Sequence, residues 1–343
     1  MDNNTSEIEH NFSTVPYHGA YRDVPPYLTI ITGVILSPII LLGVLGNLFS
    51  LLVWIKGRRR KTSTARYLSV LAIADITVLL TAALDFWISY VIQIDVKAMG
   101  TFPCKFLSFM AFWAPCFSAW ILMAVTVERA MSVWIPHRIN VVCRPVTALI
   151  VSACMGFLLM LLFLPILIGV DIATFYMSTS IWTECTARSN SFYGQNISEW
   201  FYIDLFFFFF IPFLIMIISN SLILTKVVCL ANRRNSSLHA RGQNRPMGKN
   251  QKMLKTVTRR IVILSLVYIS CNLPLGVLNV ILMSPNADEI INPEYVQTFR
   301  INFHILMYLN NGVNFLLYCM IGSGFRKDFI GIFRSSSRTS TTR

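Results

Sequence analysis

The sequence predicts an all-α membrane protein: a seven-transmembrane helix bundle followed by a short amphipathic helix on the membrane surface. Three observations predict it. Of the 343 residues, 55% are apolar and only 13% charged, about half the charge of an ordinary water-soluble surface. The mean hydropathy is +0.60, so something other than water solvates the remainder. Apolar runs near the ~20 residues that cross ~30 Å of hydrocarbon recur along the whole chain, with short polar breaks. Collagen, disorder and a disulfide-dense secreted scaffold are excluded by the same composition.

The elements follow in order. Residues 1–26 are polar and lack an apolar stretch closing on small residues, so no cleavable signal peptide is expected and the first span inserts the chain. The spans read as 27–55, 67–92, 102–135, 146–170, 199–231, 256–283 and 297–321. This divides the chain into a glycosylated terminus 1–26, a bundle 27–321 and a tail 322–343 carrying the surface helix. Orientation follows positive charge: 24 of the 29 lysines and arginines fall on one side, which is therefore the cytoplasm. The amino terminus then lies outside. Acceptor sequons at Asn3, Asn4 and Asn11, and at Asn196 in the loop after span four, agree with that. The sequon at Asn235 falls in the basic loop 226–260 and is expected to be silent. These basic residues line juxtamembrane loops, where they attract anionic lipid; no nucleic-acid partner is expected.

Eight cysteines sharpen the topology. Cys116, Cys154, Cys271 and Cys319 belong to spans, and Cys143 and Cys229 lie near cytoplasmic ends where thiols stay reduced. Only Cys104, at the outer start of span three, and Cys185, in the outer loop 171–198, meet an oxidising compartment. A bond between them is expected to pin that loop across the mouth of the bundle.

Charge inside a span costs about 2.5 to 3.5 kcal/mol on insertion scales, so each such residue is a functional candidate. Asp75 is the deepest. Asn47 in span one, Ser118 in span three, and Asn310, Asn311 and Asn314 in span seven lie at similar depth. One acid, one hydroxyl and several amides make either a hard-cation cage, for sodium, or a hydrogen-bonded network without an ion. No cofactor is otherwise required. At the inner end of span three, Glu128 precedes Arg129, with Pro136 in the loop beyond; the acid can hold the arginine neutralised in one state and release it in another.

Taken together, the pattern resembles the rhodopsin-like (class A) G-protein-coupled receptors over nearly the whole chain. The matches run in order: Gly46-Asn47, Leu71 with Asp75, Cys104 with Cys185, Glu128-Arg129, Pro165, Pro212, Cys271-Asn272-Leu273-Pro274, and Asn314 with Tyr318. Gly324 to Phe329 then looks like the short surface helix of that family. Five positions depart: Met155 or Gly156 and Asn272 stand where the family has Trp, Asn220 and Ala130 where it has Tyr, and Phe315 where it has Pro. Without that proline, span seven is expected to run straighter. The end of span seven, Asn314 to Cys319, is similar to that of invertebrate neuropeptide receptors of the FMRFamide and myosuppressin type.

The resemblance also narrows the ligand. A retinal pigment carries a span-seven lysine where Tyr308 stands, and a monoamine receptor carries an acid where Ala111 stands, so neither subclass fits. Most of the 16 acids lie toward the outer half, and Asp85 and Asp204 fall in the upper turns of spans two and five, at positions that face the ligand cavity in the family. Buried acids invite a cation, and a peptide bearing Arg or Lys is expected to bind there through a forked pair. Phe86, Trp87, Tyr90, Trp113, Tyr202, Tyr308 and His304 are candidates for the pocket wall, while Phe206 to Phe210 are expected to touch lipid on most sides.

By the same resemblance, agonist binding shifts a population in which helices five and six hinge at Pro212 and Pro274, opening a cytoplasmic crevice floored by Arg129. The partners are then a heterotrimeric G protein and, through the Ser/Thr-rich end 335–342, a receptor kinase and arrestin. No acid in 226–260 is available to restrain Arg129 from span six, which leaves Glu128. Enzymatic activity is not expected, since no nucleophile–base arrangement sits at depth. Rival readings are an orphan or chemosensory small-molecule receptor of this fold, and a secondary transporter, which would carry an internal repeat.

Overall fold

The computed structural model describes residues 25–58, 60–135, 143–177, 180–241, 249–284, 287–321 and 323–339. Pro136 and the sequons at Asn3, Asn4 and Asn11 lie outside the described residues.

Helix α1, Pro26–Lys56, starts on a proline whose missing N–H would be unpaired there anyway, and ends at Gly57. Helix α2, Ser63–Ile92, is opened by Thr62, whose hydroxyl accepts from the Ala65 N–H at 3.2 Å. It widens twice into π-turns, Leu79–Ala83 and Ile88–Ile92. A short 3-10 turn, Lys97–Met99, leads to α3, Thr101–Trp134, which is buried along most of its length. Helix α4, Pro145–Gly169, is followed by an antiparallel hairpin of β1, Val170–Met177, and β2, Ser180–Ala187. Helix α5 comprises Ile197–Asp204, a π-helical segment Leu205–Phe210 and Ile211–Arg241. Helix α6 is Lys249–Leu282. Helix α7 comprises Pro293–Gly312 and Asn314–Ile321, and α8 is Ser323–Thr339.

Among the described residues, six helices are long and apolar enough to cross a membrane. These are α1 to α6; α7 falls short because Gln297, Arg300, Asn302, His304, Asn310 and Asn311 dilute it, and α1, α2 and α6 bury much of that polar surface. Helices α2 and α3 are the most enclosed, whereas α1 and α4 turn most of their apolar surface outward, as lipid solvation allows.

Four expectations need correction. The basic segment 226–260 is largely helical rather than a loop, since α5 runs to Arg241 and α6 begins at Lys249. Loop 171–198 contains the hairpin, whose β1 sequence VDIATFYM is rich in β-branched and aromatic residues. Helix α7 is interrupted at Val313 despite lacking the proline at 315. Gly312 supplies the break: it is pressed to α1 so closely that a side chain on Gly43 would meet its Cα at 2.8 Å. Finally, the phenylalanine run is not simply lipid-facing, because Phe209 is buried against Gly276 of α6.

Phe315, where the family pattern has proline, packs instead as an aromatic anchor. Its ring lies 5.9 Å from Phe49 on α1, and 6.0 and 5.5 Å from Phe325 and Phe329 on α8. Arg58 Nε adds a 2.7 Å ion pair to the buried Asp328, and Arg326 donates to the Cys319 carbonyl at 2.7 Å, closing the end of α7.

Candidate functional site

Three groups of polar residues lie along the bundle axis. In the middle, Asp75 Oδ1 accepts from the Ser118 hydroxyl at 2.6 Å and Oδ2 from the Asn314 amide at 2.6 Å. The Ser118 oxygen is also 3.4 Å from Asn311 Oδ1, and Asn47 Nδ2 donates to the carbonyls of Gly43 at 3.0 Å and Asn311 at 2.8 Å. Asn310 is buried on the same helix turn. The carboxylate, hydroxyl and amide oxygen converge within hydrogen-bonding distance, a donor set chemically suited to one hard monovalent cation.

Toward the end away from the hairpin, Glu128 Oε1 accepts from Arg129 Nη2 at 2.9 Å and from the Thr64 hydroxyl of α2 at 2.9 Å. Thr64 is a partner that sequence reading missed. The hydroxyls of Thr126 on α3 and Ser265 on α6 lie 3.1 Å apart, both fully buried. Thus a neutral contact joins α3 to α6 three residues before Arg129. Asn220 is buried with neither amide atom partnered among the described residues, and Asn272 uses only its Nδ2, which donates to the Tyr268 carbonyl at 2.8 Å. Tyr318 is buried edge-on to Trp54 at 5.5 Å. Pro274 lies inside α6.

At the hairpin end, Cys104 and Cys185 are disulfide-bonded, as expected from the cysteine positions. Asp171 at the base of β1 accepts from Arg188 and lies 3.8 Å from Lys105 of α3, which clips the hairpin to the bundle. The Ile172 backbone N–H, with Arg188 and Lys105 beside it, holds the Asp171 carboxyl below the usual carboxylate range. Asn196 at the start of α5 donates from Nδ2 to the Phe192 carbonyl at 2.8 Å.

The candidate pocket residues divide here. Asp85 is held by Lys97 at 3.1 Å, another partner the sequence did not reveal. Among the described residues Asp204 has no hydrogen-bond or ion-pair partner. His304 stacks on Phe86 at 5.3 Å with Nδ1 on the Arg300 carbonyl, and Trp87 donates to Ser37 at 2.9 Å. Ala111 is partly buried on α3, whereas Tyr202 is 54% exposed. Trp113 donates to the Gly156 carbonyl at 3.1 Å, and the Phe117 ring of α3 fills the space where a side chain at 156 would stand.

The π-turns reveal a further arrangement. Proline has no N–H, so Pro212 cannot serve the carbonyl of Phe208 in an α turn, or that of Phe207 in a π turn. Both carbonyls are taken by neighbours: Trp120 of α3 donates to Phe207 at 2.8 Å and Tyr268 of α6 to Phe208 at 2.7 Å. In α2, Tyr308 reaches the Ala82 carbonyl of the first π-turn at 3.3 Å. Asp204 stands immediately before the α5 π-segment, so the acid, α3 and α6 meet at one irregular turn.

Comparison with known proteins adds to this geometry. The sequence model described as "7 transmembrane receptor (rhodopsin family)" matches residues 46–318, from Gly46 of α1 to Tyr318 of α7. Somatostatin receptor type 5 of Rattus norvegicus is 25% identical over 288 residues, covering 84% of this chain and 73% of that protein. The RYamide receptor of Drosophila melanogaster is 24% identical over 326 residues, covering 93% of this chain and 67% of that protein.

Proposed function

The chain belongs to the rhodopsin family of seven-transmembrane receptors, and we propose that within it the protein answers an extracellular peptide carrying a cationic side chain. It is a multi-pass plasma-membrane receptor coupled to G proteins, and not an enzyme; GTP hydrolysis belongs to its partner. The observation that carries the peptide reading is the Asp204 carboxylate, unpartnered among the described residues at the head of the α5 π-segment. An intramembrane acid with no internal cation is costly and is relieved by a ligand that brings one, best a guanidinium. Similarity to somatostatin and RYamide receptors supports a peptide over a small odorant or a transported solute.

The amino terminus faces outward in this reading, with Asn196, Asn3, Asn4 and Asn11 as glycosylation sites; the disulfide-bonded hairpin and the side preference of Lys and Arg support it. Ligand at Asp204 acts on the π-segment whose carbonyls Trp120 and Tyr268 hold, and so on the relation of α3 to α6. Parting of those helices at Thr126 and Ser265 opens the crevice over Arg129, where a Gα carboxyl-terminal helix docks. Sodium, if held, is held by Asp75, Ser118 and Asn311 and supplies a positive charge that offsets the carboxylate. Receptor kinase and arrestin at the Ser/Thr-rich tail, and anionic lipid at the basic helix ends, complete the proposed partners.

The test is nucleotide exchange on purified heterotrimers, driven by a panel of amidated peptides with and without Arg or Lys. Potent peptides are expected to contain the cation and to lose potency at least tenfold with Asp204→Asn. Unchanged potency in that variant would remove the assignment.

A further inference from the structure

The pocket acids are not equivalent, because one already has a cation. Lys97 Nζ lies 3.1 Å from Asp85 Oδ2, and each side chain is only 11% exposed. Lys97 is fixed at its backbone: its N–H donates to Asp95 Oδ1 at 3.0 Å and the Ala98 N–H to the same oxygen at 3.2 Å. The turn is wedged between the start of α3 and β2, next to the Cys104–Cys185 disulfide. The backbone that carries the ammonium is thus held in place, and the ammonium itself is buried against Asp85. Removing its partner would leave a buried, uncompensated charge. Yet the pair does not exhaust the acid, for Asp85 Oδ1 is buried without a hydrogen-bond partner among the described residues. Lysine is a point charge; a guanidinium would engage both oxygens.

We propose that Lys97 is a tethered cation that fills the Asp85 subsite and thereby limits the ligand to one cationic side chain in the pocket. This rests on the cationic-peptide reading and adds a charge count to it. Of the two pocket acids, Asp85 is offset by Lys97, and Asp204 has no ion-pair partner among the described residues. A second ligand cation has to face or displace Lys97, and displacement strands a buried ammonium. Lys97 is therefore a specificity-determining residue that reads ligand charge without belonging to the bundle's spans.

The experiment uses full-length purified receptor and two probes, N-acetyl-arginine amide with one cation and N-acetyl-arginyl-arginine amide with two, with affinities from ligand-observed NMR. Wild type is expected to bind the dication no more tightly than the monocation. Lys97→Gln is expected to bind the dication at least tenfold more tightly than wild type does, with less than a threefold change for the monocation. Asp85→Asn, which leaves the ammonium facing the pocket, is expected to weaken both probes, the dication more. Thermal unfolding identifies the variants that fold. The proposal is overturned if whichever of them folds binds the two probes in the wild-type ratio. Failure of the parent reading is seen separately, as monocation binding that Asp204→Asn leaves unaltered.

Discussion

The hydroxyl of Tyr268 donates at 2.7 Å to the carbonyl of Phe208, the acceptor that Pro212, four residues on, cannot satisfy. Interhelical hydrogen bonds in membranes average about 0.6 kcal/mol and reach about 1.7. This one sits near the upper end, because Pro212 withholds the α-helical donor of that carbonyl. Tyr268→Phe is expected to cost about 1 to 1.7 kcal/mol, read as a lower unfolding temperature in detergent. The cause can be isolated, since Pro212→Ala returns a backbone N–H to the turn. In that background Tyr268→Phe should cost less than half as much. Equal costs in both backgrounds would show that the hydroxyl, and not the proline vacancy, sets the energy.

Thr126 and Ser265 form the other cross-bundle contact, and their protons are over-subscribed. Thr126 also lies 2.8 Å from the Leu122 carbonyl and Ser265 2.9 Å from that of Ile261, so two hydroxyl protons serve three contacts. The clasp is therefore weak, of the order of 0.6 to 1.7 kcal/mol. Removing it with Thr126→Val and Ser265→Ala should raise ligand-independent nucleotide exchange roughly three- to twentyfold if α6 must leave α3 for coupling. No rise would mean that opening leaves this contact intact, and that Glu128 and Thr64 alone restrain the arginine.

Much of this architecture was legible in the sequence because membrane segments and their polar exceptions are one-dimensional signals. Asp75 stood out in an apolar run, and two of its predicted neighbours, Ser118 and Asn314, do bond to it. Cys104 and Cys185 were isolated by topology alone. Lys97 was not legible as Asp85's partner, since the pair is closed by the path of a loop. The interruption at Val313 is not legible from the absent proline at 315, because it goes with the Gly43–Gly312 approach, which depends on how α1 meets α7. The orphaned carbonyl at 208 was within reach of sequence reasoning, by counting four residues back from Pro212. Its donors Trp120 and Tyr268 were not, because they come from other helices.

Acid dependence is expected at the hairpin. The folded Asp171 carboxyl lies below its ordinary 3.8, chiefly through the Ile172 N–H and then Arg188. A depressed carboxylate contributes its stability fully above the unfolded value and loses it as pH falls through the folded one. Hairpin docking should therefore carry the full Asp171 contribution, unchanged with pH, across pH 5 to 8 and should weaken only below about 3.8. Hydrogen exchange of the β1 and β2 amides measures this. Asp171→Asn should speed that exchange at neutral pH and flatten the acid limb; an acid limb unchanged in the variant would assign it to another group.

Asp75 offers the last test, because its two oxygens are used differently by a network and by a cation. In the network, Ser118 and Asn314 each donate one hydrogen bond to the carboxyl group, one to each oxygen. A sodium ion drawing on Asp75, Ser118 and Asn311 would offset the carboxylate charge, and by linkage would stabilise whichever conformation holds it. With a dissociation constant on the order of 30 mM, 150 mM sodium would add roughly 1 kcal/mol. Wild-type receptor should then unfold at a higher temperature in sodium than in choline at equal ionic strength, and Asp75→Asn should abolish the difference. The amide keeps the volume and one acceptor, so loss of the salt effect without collapse of the fold points to the charge. If wild type behaves alike in sodium and choline, the group is a hydrogen-bonded joint between α2, α3 and α7. Asp75→Asn would then lower stability equally in both salts.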